Sequence, residues 1–244
     1  MRYFKHGTLL IIGVLLIFTW TFPQFFRCLF VAQDNFNEIK PMIFVEKGIS
    51  KNQKDTLIKN IVLAKKRIIG FWGKQEGIAK IIFCKNAETY KKYCQSSEGA
   101  GCSIGTPLGS WIILNTDGLN VDVIAHEMCH DELMTRLGWW KTKKHIPTWF
   151  DEGLALMLDQ RFVSSQDSSQ RYIDYRAELN YLTSQPIPLQ ELTTQKAFFG
   201  QNQLFTKVAY FSSAVAISQK ISTKGKKEIF EIIEKTKKED KFEF

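Results

Sequence analysis

Apolar residues follow two rhythms along this chain, and the rhythm changes once. In the first half, short apolar runs stand between polar stretches, and Met42–Glu46, Lys80–Cys84 and Trp111–Asn115 read as strands. Between the first two, Leu57, Ile58, Ile61, Val62, Ile68, Ile69 and Trp72 recur at a helical period, which predicts a helix over Asn52–Trp72. Asn86–Gln95 reads as a helix with Asn86 as its cap, and the Gly/Ser-rich stretch Ser96–Gly109, with Pro107, reads as a loop. Past Asp117-Gly118 the pattern turns helical. Val121–Leu137 stops at Gly138, and Thr148–Phe162, Arg171–Thr183, Phe205–Ile221 and Lys226–Lys237 follow, with Pro186 and Pro188 as breaks. Strands first and helices after predict an α+β fold. The expected architecture is a small mixed sheet with helices, then a mostly helical second lobe, with a cleft between them.

The N-terminus reads as an address. Arg2 and Lys5 precede a charge-free run, Thr8–Phe26, that closes at Arg27. A membrane-spanning helix needs about 20 apolar residues, and a secretory signal needs a shorter apolar core with small residues at its cleavage site. The exit, Pro23-Gln24-Phe25-Phe26-Arg27, is bulky, which favours an uncleaved single-pass anchor over a secreted form. The charge bias then places the N-terminus in the cytoplasm and the following domain on the outer side. Residues 1–30 are expected as anchor or signal segment, 31–41 as linker, and 42–244 as the folded domain, with 42–118 its sheet part and 119–244 its helical part.

Composition narrows the class. The chain has 244 residues, 44% of them hydrophobic and 24% charged, which suits one folded domain and excludes a disordered or low-complexity chain. A mean hydropathy of −0.18 excludes a polytopic membrane protein. The net charge of +8 is spread along the chain, which argues against a nucleic-acid partner. Of the five cysteines, Cys94 and Cys102 flank a Ser/Gly loop of a length that a disulfide can close, while Cys84 and Cys129 read as buried thiols.

The chemistry is concentrated in His126-Glu127-Met128-Cys129-His130. The chain has four histidines, and two of them stand here. Imidazoles at i and i+4 share one helix face, so His126 and His130 are placed to ligate one Zn²⁺, with Glu127 able to reach an activated water. A third ligand is needed. The positions that would supply a histidine in the H-E-x-x-H-x-x-G-x-x-H pattern are Leu133 and Arg136, so that pattern is excluded. Further on comes Pro147-Thr148-Trp149-Phe150-Asp151-Glu152-Gly153-Leu154-Ala155. Thr148 and Asp151 fit a capping box that would put Glu152 in the first turn of a helix.

HEMCH followed by PTWFDEGLA resembles the gluzincin metallopeptidases, and most of all their compact branch with a W-x-x-E-G-x-A segment. The resemblance covers residues 121–155. It implies a thermolysin-like core, one zinc ion held by His126, His130 and Glu152, and Glu127 as general base. It implies peptide or protein as substrate, held in extended form along an edge strand, for which Trp111, Ile112, Ile113, Leu114 and Asn115 are the matching segment. It also implies an oxyanion donor, for which Tyr210 and His145 are candidates. The G-x-M-E-N segment of aminopeptidase N-like enzymes is absent, which argues against an exopeptidase of that type. Asp122 or Asp159 could orient a ligand histidine. Two other readings stay open. One is a deformylase-like amidohydrolase with Cys102 as third ligand, and the other is an idle, metallopeptidase-like binding or scaffold module.

Overall fold

The three expected strands pair at the centre of a sheet that carries one further strand at each edge. The computed structural model describes residues 21–94 and 99–244. The strands are β1 (Phe36–Lys40), β2 (Ile43–Glu46), β3 (Lys80–Phe83), β4 (Gly101–Thr106) and β5 (Gly109–Leu114), in the spatial order β1-β2-β3-β5-β4. β2, β3 and β5 run parallel, and the edges β1 and β4 are antiparallel to their neighbours. The edges lack the apolar signature for a physical reason. β1 buries only Phe36 of its five residues, and β4 is half-buried throughout, with glycine at two positions. β1 occupies part of the stretch read as linker, and β4 part of the stretch read as loop.

Alternation along the central strands serves two cores. Val45, Ile81, Phe83, Ile112 and Leu114 face one core, and Phe44, Ile82, Trp111 and Ile113 face the other. The first is covered by α2 (Lys51–Trp72) and α4 (Val121–Leu137). α2 opens with a Ser50/Gln53 capping box and stops at Gly73, where φ is 82°. Its buried stripe is Leu57, Ile61, Ala64, Ile68 and Trp72, the one-in-3.6 spacing read in the sequence. The second core is covered by α1 (Pro23–Leu29) and α3 (Ala87–Tyr93), the latter capped by Asn86.

That second core corrects the membrane reading. Among the described residues no helix is long and apolar enough to cross a membrane, so neither the single-pass anchor nor the placement of the domain on an outer side stands. Residues 1–20, with most of the expected span, lie outside the described residues. The rest of the charge-free run is broken at Pro23, which opens the short helix α1. Phe25 and Cys28 of α1 are buried, with the Phe25 ring edge-on to Trp111 at 5.7 Å. Arg27, expected as a flank of the span, donates to the Lys92 carbonyl at 2.8 Å. The apolar side chains of α1 cover the sheet. Cys94 and Cys102 are joined by a disulfide, and Cys28, Cys84 and Cys129 are buried thiols.

The second half is helical: α5 (Trp139–His145), α6 (Thr148–Leu156), α7 (Ser168–Leu182), α8 (Gln195–Phe199), α9 (Gln203–Lys224) and α10 (Lys226–Glu239). α6 packs between α4 and α9. The approach to α9 requires Gly153, where a methyl group would sit 2.8 Å from the Ser213 carbonyl oxygen and 2.7 Å from Ile217 Cγ1. Gly153→Ala must therefore push α6 and α9 apart. We expect it to lower stability by about 2 kcal/mol, read as a fall in the urea midpoint at unchanged slope.

Candidate metal centre

α4 begins at Asn120, whose side chain accepts from the Val123 N–H, and runs unbroken to Gly138. Helical spacing puts His126 and His130 on one side, their ring centroids 4.9 Å apart. α6 crosses them. Its N-cap is Pro147, with no side-chain cap, so the expected Thr148/Asp151 box does not form and Glu152 lies beyond the first turn. Glu152 Oε2 is 3.3 Å from His126 Nε2 and 3.7 Å from His130 Nε2. The three side chains each offer a ligand atom within 4.8 Å of the others.

The far nitrogen of each imidazole also meets a carboxylate. His130 Nδ1 is 2.7 Å from Asp151 Oδ1, and His126 Nδ1 is 3.5 Å from Asp159 Oδ2. A hydrogen bond to Asp151 orients the His130 ring, while Asp159 faces the His126 ring at the longer distance of an ion pair, and both Nε2 atoms turn towards Glu152. Asp159 is fully buried and is gripped by Arg161, with contacts of 3.0 Å from Nε and 2.5 Å from Nη2. The loop that carries both is tied by Arg171 of α7. Its guanidinium donates to the carbonyls of Leu156, Asp159, Val163 and Ser165 at 2.6 to 3.1 Å. Of the two acids weighed for orienting a histidine, Asp159 is the one at the site. Asp122 instead pairs with Arg67 at 2.6 Å and accepts from the Gln160 N–H.

The electrostatics follow from crowding acids in a buried place. Burial opposes the imidazolium of His126, yet Asp159 and Glu152 raise its pKa to about 9. Burial opposes that of His130 too, and Asp151 and Glu152 raise it to about 10. Burial works against the Asp159 charge, but His126 and Arg161 hold its carboxyl below the usual range. Burial pushes the Glu127 carboxyl up, and pushes the Tyr210 phenol well up. Two imidazole nitrogens, each backed by a carboxylate, and the Glu152 carboxylate form a donor set that suits zinc.

The other expected residues divide. Tyr210 on α9 stands beside the centre, its ring 6.4 Å from that of His126 and packed on Phe198 and Phe199. His145 ends α5 in a different depression, with Lys144, Trp149, Asp240 and Phe242. Trp111–Leu114 lie in β5, hydrogen-bonded on both sides, so they offer no free edge. Asn115 is buried and caps the turn that follows. The edge is β4, where a methyl group on Gly101 would touch Glu127 Cγ at 3.0 Å. Cys102 is tied to Cys94, which removes the thiolate of the deformylase-like reading. Asp151, Arg161 and Gly101 were not singled out for these places. Asp151 had a visible signal, being an acid next to Glu152, which the capping-box pattern claimed instead.

Two outcomes are expected. Asp151→Asn and Asp159→Asn should each weaken zinc binding about tenfold to a hundredfold while the fold survives, measured by competition with a chelating dye. In the metal-free protein the raised histidine pKa values stabilise the fold. That contribution is complete below the unfolded value of about 6.5 and is lost as pH climbs through about 9 and about 10. A zinc ion held by the same nitrogens would take the place of those protons. The urea midpoint of the metal-free protein should therefore fall across this range, and that of the zinc-loaded protein should fall less.

No family model matches the chain. Over 100 residues it is 29% identical to a protein named Leucine aminopeptidase 2 from Chaetomium globosum, a stretch that is 40% of this chain and 14% of that protein. The chain therefore resembles a peptidase over part of its length and carries a His/His/Glu cluster able to hold a metal ion.

Proposed function

We propose that this chain is a zinc-dependent peptidase. The observation that carries the reading is the convergence of His126 Nε2 and His130 Nε2 on Glu152, with Asp159 and Asp151 behind the two rings. A purely structural metal site closes its coordination with protein ligands, whereas three ligands leave a position for a reactant. The partial likeness to a protein named as an aminopeptidase supports the same class of chemistry. When bound, zinc supplies a Lewis acid that acidifies water and polarises a carbonyl group.

The remaining steps belong to the chain's own residues. Glu127, one position after His126, is the proton carrier. Its burial raises its pKa and so makes its carboxylate a stronger base. It takes the proton of the attacking water and returns it to the leaving amine. Tyr210 holds the developing oxyanion. Burial beside Glu152 and Glu127 keeps its phenol protonated, and so a donor, at any ordinary pH. The outer edge of β4, which pairs with no strand among the described residues, passes Glu127 and gives an extended peptide a backbone to pair with.

These roles separate by mutation. Glu127→Gln should keep one zinc per chain and lose about a hundredfold to ten-thousandfold in peptide hydrolysis. Glu152→Ala should lose the zinc as well. Elemental analysis beside a peptide-cleavage assay checks both. A Glu127→Gln variant with full activity would overturn the mechanism, and folded wild-type protein that takes up no zinc would overturn the reading.

A further inference from the structure

We infer that Trp139 closes one end of the substrate groove, so that a bound peptide extends only a short way from the scissile bond in that direction. This rests on the peptidase reading above and adds a length limit to it.

The direction of each backbone group on β4 is fixed by two contacts. The Ala100 carbonyl turns inward, to the Asn115 N–H at 3.1 Å. The Gly105 carbonyl turns away from β5 and accepts from Trp139 Nε1 at 2.8 Å. In an antiparallel pair the groups alternate in and out, so Gly101 and Ser103 also turn their N–H and carbonyl groups outward. A peptide laid along β4 finds partners at Gly101, beside Glu127, and at Ser103. At Gly105 the carbonyl it would use next is already taken, and the indole that takes it stands in its path.

The blockage is built in. α4 ends at Gly138, with φ of 86°, which turns the chain so that Trp139 opens α5 directly over the far end of β4. Met134, in the last turn of α4, fills the space against Gly105, where a methyl group would overlap its sulfur. A side chain at that position would have to displace the Met134 thioether. The groove is thus bounded by Glu127 near Gly101 and by the Trp139 indole at Gly105. At two residues per outward pair, about two or three substrate residues fit between them.

Two ladders of end-blocked peptides test this. Both contain one cleavable core. One ladder grows at its amino end and the other at its carboxyl end, a residue at a time. Binding to the metal-free protein is followed by calorimetry, and cleavage by the zinc-loaded protein by mass spectrometry. In one ladder, affinity and kcat/KM should rise over the first two or three residues and then drop about tenfold at the residue that meets Trp139, while the other ladder shows no such step. Trp139→Ala should remove the drop. Trp139→Phe, which frees the Gly105 carbonyl but keeps a ring in place, should leave part of it. Smooth wild-type ladders at both ends, or a step unchanged in Trp139→Ala, would overturn the inference. If Trp139→Ala fails to fold, the wild-type ladders decide alone. Cleavage without a step removes only the length limit. Zinc-loaded wild type that neither binds nor cleaves any member removes the peptidase reading and the limit together.

Discussion

The interaction on which the rest depends is the attraction of buried carboxylates for cations. Glu127, Asp151, Glu152 and Asp159 meet two imidazoles and the Arg161 guanidinium in a space closed by α4, α6 and the following loop. Such a cluster cannot hold all its negative charge without compensation. Two protons on the histidines supply it in one state, and a single dication held between them would supply the same charge. The histidine protons and the metal are therefore alternatives, and the basicity that makes the imidazoles hold protons tightly is the basicity that makes them good ligands.

Holding that cluster takes most of the second half of the molecule. Arg171 has no carboxylate among its hydrogen-bond partners. It spends its donors on four carbonyls and the Tyr175 hydroxyl, so the loop after α6 is shaped from α7. α6 itself is pressed on α9 through Gly153, and α9 brings Tyr210. On its other side, Trp149 and Phe150 are packed by Phe242 and Phe244. The residues just before Asp151 and Glu152 are thus braced from far along the chain, while α4 is braced by α2.

What the sequence disclosed follows the strength of each physical signal. The cluster of His126, His130 and Glu152 was legible because a helix face and a short segment carry it. The buried strands and the long helices α2, α4 and α9 were legible because burial imposes a period. β1 and β4 were not, since edge strands bury little and Gly101 and Gly105 show no side chain to count. Asp159 was one of two acids that spacing could not separate, because the choice depends on a loop turned by Arg171. Asp151 was assigned to a local cap when a tertiary partner, His130, outbid it. The charge-free run at the N-terminus read as a lipid-facing span because composition alone does not tell lipid from a protein core, and of its described residues Phe25 packs against the sheet.

α1 carries a lesson about where this chain tolerates cutting. Phe25 and Cys28 shield the Trp111 side of the sheet from water, on the face opposite the metal centre. A proteolytic nick past Leu29 spares the His126, His130 and Glu152 cluster yet strips cover from the aromatic surface around Trp111. Such a fragment is more prone to self-association than to loss of chemistry. Its behaviour in solution then depends on seven residues packed away from the His/His/Glu cluster.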